Sequence, residues 1–547
     1  LDEFTAGSDP TADDYPPAVT APEDITVEAT GLFTEVDLGT PSADDTLDGE
    51  LTASADRDNN FAPGVHTVTW TATDAAGNSA SDTQTVNVIP LVEFSKDQTA
   101  DEGATVTVRV LLNGSAVSYP VIVPYVVSGD ATQPGDFTLA DGSVEITSGT
   151  ETSFSFTTVD DGDNGEPIKH IEITMGAPTN AVVGPHDVHV ITMIETNIAP
   201  RVALQANQSN KRVTTVAVDA GEVVIHALVN DPNPSDTHAF DWSLSNNSLI
   251  DQDGVDDSFT IDPSTLLPGL YTLHVAVSDS GLPPKRGEAK LLLNVVATAP
   301  VLSSTTDSDN DGIMDADEGS GDSDGDGVAD FADAIATPNV LQEIAGMSDG
   351  YLIESEPGVR IQLGAVAFAG GKNAAEVNHS DIGSQTGISK DDVTNIGGIF
   401  DFKVEDLPQE GQSVQVVIPQ LEAIPGDAVY RKLIANGWQD FVEDEKNRLA
   451  SAPGRPGYCP PPGSDQYQPG LVENYWCVQL TIEDGGPNDG DGETNNAIED
   501  PGGVAKRLEI HATIKSSGGG AFNPLWLVIG LLYLGGMANN RRKEAGK

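Results

Sequence analysis

The chain has 547 residues, with 86 Asp and Glu against 26 Lys and Arg, a formal net charge of −60. That length exceeds what one core serves and suggests three to five domains of ~100–200 residues each. No basic surface is available to neutralise a phosphate backbone, so nucleic acid is excluded as a partner. A compact state this acidic repels itself, and bound divalent cations would relieve the repulsion; solubility alone is the other reading of the charge. Apolar residues make up 38%, with 56 Gly and 35 Pro, which points to short strands and many turns rather than long helices. The sequence starts at Leu1 without Met or an apolar leader. Further sequence is expected upstream, so the missing leader does not argue for a cytoplasmic protein.

Residues 1–14 are acidic and polar and read as a linker. From 15 to 90, "APEDITVEAT", "FAPGVHTVTWTATDAAGNSA" and "TQTVNV" alternate apolar and polar residues as half-buried strands do. These pieces resemble the hyalin-repeat (HYR) domain, which implies an immunoglobulin-like sandwich with Trp70 in its core. Residues 91–197 form a second β unit. Here "VEFSKDQTADEGATVTVRVLL" reads as two strands around an acidic turn, and "GSVEITSGTETSFSFTTVDDGDNGEPIKHIEITM" continues it. This unit resembles a Calx-beta domain. The resemblance implies a sandwich, either bare or with a calcium site at one end built from Glu102, Asp136, Asp160, Asp161 and Glu172. Residues 198–300 make a third unit, with alternation in Val223-Val224-Ile225-His226-Ala227 and again from Tyr271 to Val277. It resembles polycystic-kidney-disease (PKD) or cadherin-like sandwiches, with Trp242 expected in the core. Asp231, Asp236 and Asp279 read more readily as turn-forming residues than as ligands near a domain junction.

The strongest chemical signal lies in 301–339. Asp307, Asp309, Asp311, Asp315 and Glu318 occupy positions 1, 3, 5, 9 and 12 of a loop with Gly312 at position 6. Asp322, Asp324, Asp326, Asp330 and Asp333 repeat the pattern around Gly327. Alternate carboxylates converge while glycine allows the sharp turn, and the position-7 carbonyl of Ile313 or Val328 completes a calcium shell. Hard oxygens without nearby Cys or His favour Ca²⁺ over zinc, and a flexible loop with this many carboxylates suits magnesium poorly. No long amphipathic helices flank the copies. The tandem repeat resembles thrombospondin type 3 repeats, which implies a spacer with little hydrophobic core, ordered chiefly by calcium; a disordered acidic linker is the alternative.

Residues 340–515 read as another globular region, with "GVRIQLGAVAFA", "IFDFKVEDLP" and "QSVQVVIPQL" as strands. This stretch, through "YCPPPGSDQYQPGLVENYWCVQL", resembles the choice-of-anchor U domain of bacterial surface proteins. Cys459 and Cys477 are the chain's two cysteines. In an exported protein a local disulfide is the natural reading, with a free buried pair as the alternative. Asp489 and Asp491 in "NDGDGETNN" read as a structural turn. The tail, 516–547, carries Gly518, Gly519 and Gly520, an apolar run about 522–538, and then Arg541, Arg542 and Lys543. That run is near the short limit for a transmembrane helix, and the basic stop places the C-terminus in the cytoplasm. The tail resembles a GlyGly-CTERM sorting signal. The resemblance implies cleavage near the glycines by a rhomboid-type sorting protease, export by type II secretion machinery, and a membrane anchor that is transient.

No H-E-x-x-H or phosphate-loop pattern is present. The expectation is a non-enzymatic, mainly β chain: tandem immunoglobulin-like sandwiches, a calcium-loop spacer, a C-terminal β-rich domain and one C-terminal transmembrane helix. The matching function is adhesion or display at the cell surface, as a stalk that meets a cell-surface protein or glycan ligand. The non-catalytic end of a secreted hydrolase and a purely structural stalk are the alternatives.

Overall fold

The computed structural model describes residues 13–160, 162, 167–347, 349–386, 393–435 and 437–507. Residues up to Arg507 form one compact unit. Strands dominate it, and their burial follows the period-2 pattern of the sequence. In Gly64–Thr73, Val68, Trp70 and Ala72 are buried, while Val65, Thr67 and Thr73 are exposed.

The first sandwich pairs Ile25–Glu28, Ser79–Ile89, Gly64–Thr73 and Ser54–Ala55 in one sheet. A second sheet joins Ala18–Thr20, Ser42–Asp45 and Gly49–Leu51. Trp70 packs with Val36, Phe61, Val68 and Val86, and its Nε1 donates to Gln84 Oε1 at 3.2 Å, so the indole lies in the core with its one donor satisfied.

In the second sandwich, the segment read as two strands forms three. Leu91–Phe94 pairs with Thr105–Leu112 in one sheet, while Gln98–Asp101 joins Val188–Ile194 in the other. The chain crosses between sheets at Ser95–Asp97, which leaves Gln98–Asp101 at the edge of its sheet and Leu91–Phe94 inside the other, between Thr105–Leu112 and Val182–Val183. The third sandwich stacks Lys211–Arg212, Arg201–Gln208, Val223–Asn230 and Ser258–Ile261 on Thr215–Ala217, Arg286–Val296, Gly269–Ser278 and Ala239–Asp241. Ile225, Leu273, Val275 and Leu293 fill it. Trp242 packs only at its rim, where Nε1 donates to the Asp256 carbonyl at 2.9 Å.

The C-terminal domain is a larger sandwich of a six-stranded and a seven-stranded sheet. Its central strands are Ile399–Glu405, Ser413–Pro419, Ala428–Ile434, Cys477–Glu483 and Ile498–Lys506. The "GVRIQLGAVAFA" stretch is not one strand. Arg360–Leu363 is a strand, and Ala365–Gly370 turns helical. The Asp401 carboxylate explains the break: its Oδ2 accepts from Ala367 N at 2.8 Å, a negative charge at a helix start. A Cβ on Gly364 would lie 2.2 Å from Asp401 Oδ1, so only glycine fits at the corner. Cys459 and Cys477 form a disulfide with Cα atoms 5.6 Å apart.

A stalk of sandwiches placed end to end is not what the chain forms. Arg455 Nη2 of the C-terminal domain donates to Asn60 Oδ1 of the first sandwich at 2.8 Å, and the rings of Tyr458 and Phe33 meet edge to face. The buried Lys96 of the second sandwich is ion-paired with Glu356, and Gln412 Nε2 donates to the Asp97 carbonyl at 3.1 Å. The first two sandwiches therefore dock on the C-terminal domain. Among the described residues no helix is long and apolar enough to cross a membrane. The apolar run at 522–538 and Gly518, Gly519 and Gly520 lie outside the described residues.

Candidate calcium loops

The two acidic loops share one hydrogen-bond plan. In the first, Asp307 accepts from Asn310 N and Gly312 N at 2.8 and 3.0 Å. Asp309 Oδ1 accepts from Asp311 N at 3.2 Å, and Asp311 Oδ1 from Ile313 N at 2.6 Å. In the second, Asp322 accepts from Gly325 N and Gly327 N at 2.8 and 3.2 Å. Asp324 Oδ1 accepts from Asp326 N, and Asp326 Oδ1 from Val328 N. Position by position the donors match. Gly312 and Gly327 hold φ of 97° and 92°, which an L side chain rarely adopts.

The first carboxylate of each plan spends both oxygens on the backbone, while those at positions 3 and 5 spend one each. Asp309 Oδ2, Glu318 Oε2, Asp324 Oδ2 and Asp326 Oδ2 are buried without a hydrogen-bond partner. Within each of the trios Asp307–Asp309–Asp311 and Asp322–Asp324–Asp326, one oxygen per residue lies within 4.8 Å of the others. Buried carboxylate oxygens that face one another are costly unless a cation joins them. Hard oxygens at this density suit Ca²⁺. The proton affinities agree. Burial, then the neighbouring aspartates, pushes Asp309 up to about 6. Burial and Asp322 raise Asp324 to about 7, and burial and Asp324 raise Asp333 to about 8. Burial and then Asp309 raise Glu318 to about 7. The position-12 acids thus sense the charges of their own loops. The position-9 acids have a different use. Asp315 accepts from Ser308 N and Oγ at 2.9 and 3.0 Å, and Asp330 Oδ1 from Ser323 N at 2.7 Å, which closes each loop on itself.

The loops differ in their surroundings. Ile313 is 49% exposed, whereas Val328 at the equivalent position is fully buried. Val328 and Ala332 belong to the core of the C-terminal domain, with Phe331 against it. On the other side, Thr214 Oγ1 donates to Asp322 Oδ2 at 2.8 Å, and Arg212 Nη1 to the Asp324 carbonyl at 3.0 Å. The second loop is therefore a wedge between the third sandwich and the C-terminal domain, with hydrophobic packing of its own, and not a coreless spacer.

The five acids assigned to the second sandwich form no comparable group among the described residues. Asp161 lies outside those residues. Burial raises the Asp136 carboxyl, but Lys169 at 2.6 Å and two bonds from Thr132 more than offset this and hold it below the usual range. A lysine ammonium thus stands where a cation would bind. Asp160 Oδ1 accepts from Gly162 N at 2.9 Å. Glu172 points outward from Lys169–Met175, and Glu102 sits in the turn before Thr105–Leu112.

Two further acidic groupings are present among the described residues. Asp231, Asp236 and Asp279 come together within 4.8 Å, beside the contact where Asn233 Nδ2 donates to Asp101 Oδ2 of the second sandwich at 2.8 Å. Asp231 Oδ2 also meets His238 Nε2 at 2.8 Å. Asp13, Asp48 and Asp74 form another trio. Asp13, Asp48 and Asp74 are far apart in sequence, so no spacing rule could find that trio, whereas Asp231, Asp236 and Asp279 read from the sequence more readily as turn residues. By contrast, Asp489 accepts from Gly485 N and Glu499 N, and Asp491 from Glu493 N, as a structural turn would have them. A cleft of about 830 Å³ also opens between the second and third sandwiches and the C-terminal domain, lined by Arg109, Arg201, Arg212, Arg286, Lys290 and Arg360. Acids line the same cleft, and Glu288, Glu493 and Glu405 pair with Arg286, Lys290 and Arg360 there.

No characterised protein matches the chain by sequence. Among solved structures, the apo form of the Calx CBD1 domain is 19% identical, covering 20% of this chain and 99% of its own, with a TM-score of 0.18. Mouse cadherin-23 EC22-24 is 15% identical, covering 52% of this chain and all of its own, with a TM-score of 0.19. At such scores the likeness carries no argument about function. The HYR domain family model matches residues 12–88, the stretch that forms the first sandwich.

Proposed function

We propose that this chain is an exported, calcium-binding surface protein without catalytic activity of its own, acting in adhesion or display. One observation carries the reading: two loops with the same donor plan, each aiming buried, unpartnered carboxylate oxygens at one point. In this reading calcium in the second loop fastens the third sandwich to the C-terminal domain, because both touch that loop. Calcium in the first loop orders 307–318. Extracellular modules of this type bind at ~10⁻⁴–10⁻³ M, so the joints set firm outside a cell and not in a calcium-poor cytosol. The HYR match over 12–88 fits an exported protein. The contact partner, a surface protein or glycan, and processing of the tail by a rhomboid-type protease with type II export belong to the same proposal.

Calcium titration of the chain by calorimetry tests it. The expected result is binding at both loops, at two ions per chain from them, abolished by Asp309→Ala with Asp324→Ala, and not reproduced by magnesium. Absence of heat and of bound calcium at millimolar concentration would contradict it.

A further inference from the structure

Lys432 and Asp500 meet inside the C-terminal sandwich. Lys432 lies on Ala428–Ile434 and Asp500 on the neighbouring Ile498–Lys506. Both side chains are 0% exposed, and Lys432 Nζ contacts Asp500 Oδ1. Apart from each other, neither Nζ nor the two Asp500 oxygens have a hydrogen-bond partner among the described residues. A buried ion pair normally needs further hydrogen bonds to offset desolvation. Phe400, Phe402, Tyr430 and Val504 are buried in the same core, and Asp489 and Asp401 act on the amine as well.

The backbone makes room for this meeting. Lys432 is in register with Gly502, two residues beyond Asp500 and so on the same face. A Cβ on Gly502 would lie 2.9 Å from Asp500 Oδ1 and 2.8 Å from Tyr430 Cε1. Glycine keeps open the space in which amine and carboxyl touch. Burial favours the neutral form of each partner: it lowers the Lys432 amine and raises the Asp500 carboxyl. An amine and a carboxyl held in contact away from solvent have the proximity that intramolecular reactions exploit.

We propose that Lys432 and Asp500 join in an intramolecular isopeptide bond. The Nζ lone pair attacks Cγ of the protonated Asp500, forming the C–N bond. The C–O bond to one carboxyl oxygen then breaks. That oxygen leaves as water, with the acid's own proton and one proton from the amine, while the remaining amine proton stays on the amide nitrogen. No electrons are transferred to or from any other group, and no co-reactant is consumed. The bond removes an ionisable pair from the core and ties Ile498–Lys506 covalently to its neighbour Ala428–Ile434. The assignment is independent of the calcium reading.

Intact mass of the purified full chain, reduced and denatured, is the test. The expected mass is one water below that of the sequence, and a protease digest yields a branched peptide joining the two strands. Asp500→Ala and Lys432→Ala restore the full mass. Asp500→Asn keeps the shape and releases ammonia instead, so its joined product has the mass of the joined wild type. A natively folded wild-type chain at its full sequence mass overturns the proposal without recourse to any variant. So does an Asp500→Ala chain that still loses water.

Discussion

Asp324 and Asp333 hold their protons to about 7 and about 8 because burial and a neighbouring carboxylate act together. In the unfolded chain both titrate near 4. The calcium-free folded state therefore binds more protons than the unfolded state between these limits. The stability contributed by these groups is present below about pH 4 and lost as pH rises through 7 to 8. In the proposed reading, calcium replaces those protons. Chemical denaturation without calcium is expected to show stability falling from pH 5 to pH 8, and with saturating calcium that decline should vanish. Titrations in buffers of different ionisation enthalpy should show proton release on binding near pH 7. A calcium-free stability that rises over this range would show that the carboxylates are not clustered in solution as they are here.

At the scale of elements, the two calcium loops are alike in hydrogen bonding and unlike in packing, and one substitution at each separates the two properties. Val328→Ala empties space in the C-terminal core and is expected to cost about 2 kcal/mol. Ile313→Ala, at the same loop position but half exposed, should change stability by less than about 0.5 kcal/mol. Denaturant midpoints in saturating calcium measure both, and equal effects would mean that the second loop is not wedged into the core. The same contrast explains what could be read from the sequence. Local patterns were legible: the alternation of Gly64–Thr73, and the one-three-five spacing of the acids, whose partners are backbone groups two to five residues away. Contacts that depend on the tertiary fold were not. The burial of Val328, the trio of Asp13, Asp48 and Asp74, and the pairing of Lys432 with Asp500 all join residues far apart in sequence. The helix Ala365–Gly370 was missed because its short apolar run has no decisive period, and its capping carboxylate, Asp401, comes from another strand.

For the whole molecule, the docking of sandwiches on the C-terminal domain matters more than their number. Lys96 and Glu356 are both largely buried where the second sandwich meets that domain, and Glu356 Oε1 also accepts from Gln415 N at 2.8 Å. Glu356→Ala strands a buried ammonium, a change that costs about 3–5 kcal/mol. The expected outcome is a separate, earlier unfolding step for the second sandwich, and a single unchanged transition would show that the contact does not couple the two. The second acidic loop lies at the other joint, between the third sandwich and the same domain. Calcium at ten times its dissociation constant adds roughly 1.4 kcal/mol per site. The most direct measurement is thermal unfolding of residues 13–507 with millimolar calcium and with chelator. The account predicts a calcium-dependent rise in melting temperature that disappears when Asp309 and Asp324 are both changed to Ala. An identical melting temperature in calcium and in chelator would contradict it.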